Sequence, residues 1–296
     1  MTENTHKAGF VNIIGKPNVG KSTLMNVLIG ERLSIISSKA QTTRHRIMGI
    51  INEDKYQIVF SDTPGMLKPM YELHKNMMGF VHMALEDADV ILFVTDLFET
   101  DEEIEDVIEK INNSGVPVLL VINKIDLNKE SKLEEVTAYW TERLKTERVI
   151  PISATESFNT ESILLEILER LPVHPPFYDK EEITDRPERF FASEMIREKI
   201  FNNYKKEIPY STEVAIEDFF EEENIIRMRA VIYVERNSQK GIIIGEGGKA
   251  LKRVGTQARQ ELEKFFGKKV FLETFVKVED DWRKSKNKLR KFGYDQ

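Results

Sequence analysis

Short apolar runs alternate with helical patterns from residue 9 to about residue 171. This alternation predicts an α/β domain, a mostly parallel sheet with helices on both faces. Two further observations sharpen the reading. The first apolar run leads into GKPNVGKS at Gly15–Ser22, which fits the phosphate-binding pattern G-x-x-x-x-G-K-[ST] in a strand–loop–helix context. Beyond a proline- and charge-rich stretch, the chain changes to an α-β-β-α-α-β order, which predicts a second, α+β unit.

Phe10–Ile14 reads as the first strand and Ser22–Leu28 as the helix after the glycine-rich string. The loop Gly15, Lys16, Pro17, Asn18, Val19 and Gly20 offers backbone N–H groups, Pro17 excepted, which with the helix N-terminus behind it suit phosphate oxygens. The Lys21 ammonium reaches the outer phosphates and the Ser22 hydroxyl can ligate Mg²⁺. Strands at Ile47–Ile51 and Tyr56–Phe60 follow, and the second ends in Asp62, Thr63, Pro64 and Gly65. A carboxylate at Asp62 suits Mg²⁺ held through a water. Gly65 can offer its N–H to a γ-phosphate and still move when that phosphate leaves. Standing alone, these four residues would read as a strand-ending turn. Met70, Met77, Met78 and Met83 lie in or near the segment that follows, and read as a mobile helix and its packing rather than a partner groove.

After the strand Val90–Val94 and a helix over Glu102–Asn112, the run Pro117–Ile122 ends in Asn123, Lys124, Ile125 and Asp126. A carboxylate accepts two N–H bonds from the Watson–Crick edge of guanine, a pattern adenine cannot match, so Asp126 reads the base. Losing such a contact costs roughly 2–5 kcal/mol. Asn123 supports purine and loop, and Lys124 lays its stem along the ring. A helix at Lys132–Leu144 precedes the strand Val149–Ile152, which ends in Ser153 and Ala154; these add a backbone N–H toward the guanine oxygen. Thr160–Leu171 closes the domain as a helix. The ordered set implies a P-loop GTPase domain. A metabolic P-loop enzyme such as a kinase is the rival, and the base-reading strings argue against it.

The boundaries expected are 1–172 for the nucleotide domain, 173–188 for a linker with four prolines at Leu171–Glu188, and 189–296 for the second unit. Phe191, Met195, Ile196, Ile200 and Tyr204 suggest an amphipathic helix, and Val214–Phe220 with Ile225–Val234 a strand pair. GIIIGEGG at Gly241–Gly248 is followed by a helix to about Phe266, a strand at Val270–Val278 and a basic helical tail over Trp282–Lys291. Gly245, Glu246, Gly247 and Gly248 stand where a KH domain carries its G-x-x-G loop, with Lys249, Lys252 and Arg253 behind them for phosphates. Ile242–Ile244 and Val254 are expected to floor the groove for bases. The plain alternative is a glycine-rich helix–helix turn. Glu246, an acid inside the loop, runs against phosphate binding. A second rival is a C-terminal unit that binds protein or lipid headgroups, which GIIIGEGG argues against.

With 296 residues, 41% of them hydrophobic, the chain can bury two cores. It has no cysteine, and its five histidines show no metal spacing, so no metal cluster is expected. Neither a signal peptide nor a membrane-length apolar run is visible, which suggests a soluble intracellular protein. Residues 1–179 carry 18 Lys/Arg against 28 Asp/Glu, whereas residues 236–296 carry 16 against 8. The basic end suggests an anionic partner, with a solvated helix face as the bland alternative.

GKPNVGKSTLMN, KAQTTRHRIMGI, DTPG, NKID, KGIIIGEGGKALKRVGTQAR and the terminal VFLETFVKVEDDWRKS together resemble the Era family of bacterial ribosome-assembly GTPases, along nearly the whole chain. The resemblance implies a P-loop GTPase domain plus a C-terminal type II KH domain. It also implies binding to the 3′ end of small-subunit (16S) ribosomal RNA and action in rRNA processing and small ribosomal subunit biogenesis. A cytoplasmic location with some peripheral contact at the inner face of the membrane would follow. It points to Thr42 and Thr43 as the paired switch threonines, with Thr43 preferred as the Mg²⁺ ligand. SATESFN at Ser153–Asn159 departs from the family's SAxxGxN, which puts details of the guanine pocket in question. Met66 replaces the glutamine that orients water in Ras-like switches, so hydrolysis needs other help. Asn18 stands at the loop position that binds K⁺ in some related GTPases. It implies either K⁺ in place of an arginine finger or a purely loop-ordering role.

Overall fold

The structure, a computed structural model, describes residues 5–98, 104–127 and 132–294. It comprises two compact units, the main break falling between Asp185 and Arg186. In the first unit, β1 (Lys7–Ile14), β2 (Ile47–Asn52), β3 (Tyr56–Asp62), β4 (Val90–Asp96), β5 (Val118–Asn123) and β6 (Arg148–Pro151) form one sheet in the order β2-β3-β1-β4-β5-β6. Only β2 runs antiparallel to its neighbour. The turn between β2 and β3 is tight, with the Glu53 N–H donating to the Tyr56 carbonyl at 2.9 Å. A tight turn returns antiparallel, whereas the parallel pairs need helical crossovers. Every residue of β4 and β5 is buried, which is why both read as continuous apolar runs rather than alternating ones.

The helices between strands are α1 (Lys21–Ile29), α2 (Glu72–Glu86), α3 (Glu105–Asn113) and α4 (Lys132–Arg143), and α5 (Glu161–Arg170) follows the last strand. The helix expected over Glu102–Asn112 starts at Glu105; Glu102 lies outside the described residues. Met77 and Met78 are buried on α2, so packing is their role, whereas Met70 is exposed. No helix among the described residues is long and apolar enough to cross a membrane.

The stretch expected as a linker is bonded along the first unit as far as Asp185. The fully buried Gln57 accepts the Phe177 and Tyr178 N–H groups at 2.7 and 3.1 Å. The Ile50 N–H donates to the Ile183 carbonyl at 2.9 Å, and the Thr184 hydroxyl to the Met48 carbonyl at 2.7 Å. These contacts cover the open edge of β2, which would otherwise offer unpaired backbone groups to another chain. Composition signalled an irregular segment here, but not the side-chain and backbone bonds that hold it.

In the second unit, α6 (Glu188–Asn203), β7 (Glu213–Glu221), β8 (Ile225–Val234), α7 (Asn237–Ile244), α8 (Lys249–Phe266) and β9 (Lys269–Val278) follow the predicted order. The sheet is β7-β8-β9, with β8 and β9 parallel. Ile196, Ile200, Met228, Ile232, Val254 and Leu262 belong to the core between helices and sheet. The tail is a 3₁₀ turn at Trp282–Lys284 and then α9 (Lys286–Lys291), not one helix. Trp282 is fully buried and donates its indole N–H to the Ser211 carbonyl at 3.0 Å, so the tail is part of this core. The helix α6 departs from simple amphipathicity: Glu194, Arg197 and Glu198 are buried with its apolar residues. Burial works against the Arg197 charge, but Glu194, bonded to it at 2.7 Å, more than offsets that and holds the guanidinium ionised.

Candidate functional site

The phosphate loop, the DTPG string, the NKID string and Ser153–Ala154 all emerge at carboxyl ends of strands, where open α/β sheets bind ligands. A cleft of about 290 Å³ is lined by Pro17, Asn18, Lys21, Ser22, Thr43 and Lys124, among others. Two glycines permit the loops to meet. Gly20 has φ +100°, and a Cβ there would lie 2.2 Å from the Asn123 amide nitrogen. A Cβ on Gly65 would lie 2.6 Å from Pro17, and the next N–H, of Met66, donates to the Gly15 carbonyl at 3.1 Å. Lys21 is buried and donates to the Gly15 and Lys16 carbonyls at 2.9 and 2.7 Å, so its ammonium lies over the loop. Pro64 is buried, and the Thr63 hydroxyl donates to the Ile13 carbonyl at 2.7 Å, pinning DTPG to β1.

Three oxygen-bearing side chains converge behind the loop. The Ser22 hydroxyl donates to Asp62 Oδ2 at 2.7 Å, the Thr43 hydroxyl donates to the same oxygen at 3.3 Å, and the two hydroxyl oxygens are 2.8 Å apart. Thr42 turns elsewhere, donating to the Lys39 carbonyl at 2.6 Å. Asp62 is fully buried, and its Oδ1 has no hydrogen-bond partner among the described residues. Burial pushes its carboxyl up from the ordinary range, against Lys21 and the hydroxyls of Ser22, Ser34 and Thr43, which pull it down. A buried carboxylate with an orphaned oxygen beside two hydroxyls is a hard-oxygen donor set, and it fits Mg²⁺. Met66 points away into the hydrophobic core, so its side chain is outside the cleft.

At the base-reading end, Asn123 joins three loops. Its Nδ2 donates to the Val19 carbonyl at 2.9 Å, and its Oδ1 accepts the Lys124 and Ala154 N–H groups at 2.8 and 3.0 Å. The Ala154 N–H, expected for the guanine oxygen, is thus bonded to Asn123 in this structure. Ile125 donates its N–H to the Ile152 carbonyl at 3.2 Å, tying NKID to β6. Asp126 is exposed, two residues beyond Lys124 of the cleft lining. Ser153 bridges Phe158 across a tight turn, and Ser157, at the glycine position of SAxxGxN, has φ 52°. The departure therefore sits on a left-handed residue that serine tolerates at a cost of about 1 kcal/mol. Sequence reading missed Asp96. Its carboxylate holds the Lys124 ammonium at 2.6 Å, while that ammonium also donates to the Asn18 carbonyl at 2.7 Å. A carboxylate ending β4 beside Asn123 was the available signal.

In the second unit, α7 ends at Gly245, and Glu246–Gly248 form a 3₁₀ turn into α8. Gly245, Gly247 and Gly248 have φ of 69°, 58° and 76°. Nothing lies within 4 Å of a Cβ built on Gly247 or Gly248, so the loop is open to an approaching backbone. Glu246, Lys249, Lys252 and Arg253 are exposed, and none of these three cations is ion-paired among the described residues. The groove floor is not the one expected. Ile243 and Val254 are fully buried in the core and unavailable to bases. The isoleucine run is the last turn of α7 rather than a loop, and its helical phase turns Ile243 inward. A groove of about 370 Å³ is lined instead by Leu251, Gly255 and Arg259 of α8 and by Leu272 and Thr274 of β9, with Gly248 at one end.

Fold and cleft define a P-loop GTPase carrying a C-terminal KH unit. A family profile described as 50S ribosome-binding GTPase matches residues 10–124, and one described as KH domain matches residues 207–283. The chain is 44% identical over 299 residues to GTPase Era of Staphylococcus haemolyticus, covering 99% of this chain and 98% of that one. It is 43% identical over 302 residues to the chloroplastic GTPase ERA1 of Zea mays, covering 98% of this chain and 71% of the maize protein. Among solved structures, an Aquifex aeolicus Era variant bound to GDP and AlF4⁻ superposes with a TM-score of 0.93 at 39% identity, covering 98% of this chain and all of that one. Era bound to MgGDPNP and nucleotides 1506–1542 of 16S ribosomal RNA gives 0.93 at 40% identity, with the same coverage. The chain belongs to the Era family of GTPases.

The buried Asp62 has a consequence for stability. Its folded-state pKa lies above the unfolded one, so it contributes an unfavourable term that grows as pH rises through that window. Asp62→Asn is expected to stabilise the nucleotide-free protein by about 1 kcal/mol at neutral pH while removing Mg²⁺-dependent nucleotide binding. Thermal unfolding of the two proteins, with and without Mg²⁺ and nucleotide, checks both halves.

Proposed function

We propose that the chain is a GTP-hydrolysing switch that binds the 3′ end of 16S ribosomal RNA through its KH unit and acts in rRNA processing and small-subunit biogenesis. The observation that carries the RNA half is the open loop at Gly245–Gly248, three positive-φ glycines with unpaired cations behind them, in a chain so similar to an Era–RNA complex. The loop's N–H groups and the α8 N-terminus suit phosphates, while Leu251, Gly255, Leu272 and Thr274 suit bases.

In the nucleotide unit, the loop Gly15–Gly20 and Lys21 bind the phosphates, Asp126 reads guanine, and Asn123 and Lys124 hold the purine pocket. Ser22 and Thr43 ligate Mg²⁺, and Asp62 supports it through a water. When bound, Mg²⁺ neutralises charge on the phosphate oxygens. The Gly65 N–H meets the γ-phosphate. Met66 is buried and cannot orient water, so positive charge must come from elsewhere. Asn18 is exposed with φ 68° beside the Lys124 ammonium, and its amide oxygen would suit K⁺, which would supply the positive charge an arginine finger gives elsewhere.

Two measurements test this reading. Hydrolysis is expected to run about tenfold or more faster in K⁺ than in Na⁺ at equal ionic strength; equal rates remove K⁺ from the account. In the double variant Glu246→Asp, Gly247→Asp, the change at Gly247 adds charge and bulk where the RNA backbone would lie, the one at Glu246 keeps its charge, and Asp tolerates the left-handed conformation of Gly247. Affinity for single-stranded RNA of the 16S 3′ sequence should fall about tenfold or more, with GTP affinity unchanged. Full RNA affinity in that variant would move the binding site off the loop.

A further inference from the structure

Arg46 is a buried charge that none of the roles above uses. It is the residue before β2 and the third after Thr43. Its guanidinium donates Nε–H to the Ser61 hydroxyl at 2.5 Å, and Nη1 and Nη2 to the two oxygens of Asp87 at 2.6 and 2.9 Å. Nη2 also donates to Asn12 Oδ1 at 3.3 Å. Asn12 closes the ring by donating to Asp87 Oδ1 at 2.8 Å and to the Ala84 carbonyl. Asn12 and Ser61 are register partners on β1 and β3, and Ser61 immediately precedes Asp62. Asp87 follows the last residue of α2. One planar cation therefore clips together β1, β3, the start of β2 and the end of α2.

The clip limits where Thr43 can go. Three residues span at most about 10 Å, so a fixed Arg46 backbone confines the Thr43 Cα, and with it the short side chain, to about that radius. The two residues between them, Arg44 and His45, are buried and narrow it further. The forked contact to Asp87 is one that lysine cannot reproduce. The clip's partners are Asn12, Ser61 and Asp87, none of which belongs to the phosphate-cradling or guanine-reading loops.

We propose that Arg46 is a positioning residue: clipped to Asp87, it anchors the segment that presents Thr43 beside Ser22 and Asp62 to Mg²⁺. This rests on the assignment of Ser22 and Thr43 to the metal made above. The role is energetic coupling through a short tether, so its loss weakens metal binding in the triphosphate state and spares GDP.

Asp87→Asn and Arg46→Lys test it. The Asp87 side chain is 41% exposed, so an amide there leaves the core packed. Calorimetry gives the Mg²⁺ affinity of the complex with a non-hydrolysable GTP analogue; GDP affinity is measured separately in EDTA. Both variants should bind Mg²⁺ about tenfold more weakly, as expected when an outer support of a ligand is lost, with GDP affinity unchanged. Thr43→Ala is measured alongside. If it leaves Mg²⁺ affinity unchanged, the metal assignment fails and the proposal with it. If Thr43→Ala weakens Mg²⁺ but Asp87→Asn and Arg46→Lys do not, the clip alone is overturned. A parallel loss of GDP affinity in the clip variants makes Arg46 a folding element and overturns the proposal as well.

Discussion

The Asn123 side chain is the bond on which the nucleotide cleft depends. It ends β5, is almost fully buried, and uses its amide on both sides: nitrogen to the phosphate loop at Val19, oxygen to the N–H groups of Lys124 and Ala154. Three loops distant in sequence thus share one planar group. Each of those buried partners would cost about 1–3 kcal/mol if left unsatisfied. The same geometry dictates Gly20, because any side chain there would collide with the amide. It also dictates the left-handed backbone of Lys124, φ 62°, whose ammonium then reaches Asp96 and the Asn18 carbonyl. The phosphate loop and the loops after β5 and β6 are therefore joined as one object.

The metal end is built on the opposite logic. Asp62 is held in a buried, partly unsatisfied state that lowers stability in the nucleotide-free protein. Ser22 and Thr43 hydroxyls partly compensate it. A cation held through a water beside this carboxylate would face a group shielded from bulk solvent, so the attraction would be stronger there than at a surface. In the second unit the open glycine loop likewise trades local packing for access.

Much of this was legible because the chemistry lies in short consecutive strings. GKPNVGKS, DTPG and NKID each carry their own turn geometry, and each follows an apolar run that could only be a strand, so sheet and cleft followed together. Groups whose partners are far apart in sequence were hidden. Asp96 meets Lys124, and Arg46 meets Asp87, only once the strands are in register. Gln57 reads as an ordinary strand polar residue, yet it holds Phe177 and Tyr178 and turns a proline-rich linker into an edge cover. The KH groove was misplaced by one helical face. Val254, Ala258 and Leu262 are the buried stripe of α8, whereas Leu251 and Gly255 line the groove, a distinction that needs the direction of the sheet. In the substituted loop, Ser157 takes the positive φ that a glycine there would adopt without cost.

Amide hydrogen exchange on nucleotide-free Asn123→Ala tests the central claim most directly. If Asn123 joins the loops, exchange should quicken by about tenfold or more at Lys124, at Ala154 and across the phosphate loop together, while β4 and the rest of β5 keep their protection. Unchanged exchange in the phosphate loop, with only the nearest amides of the NKID string affected, would contradict it.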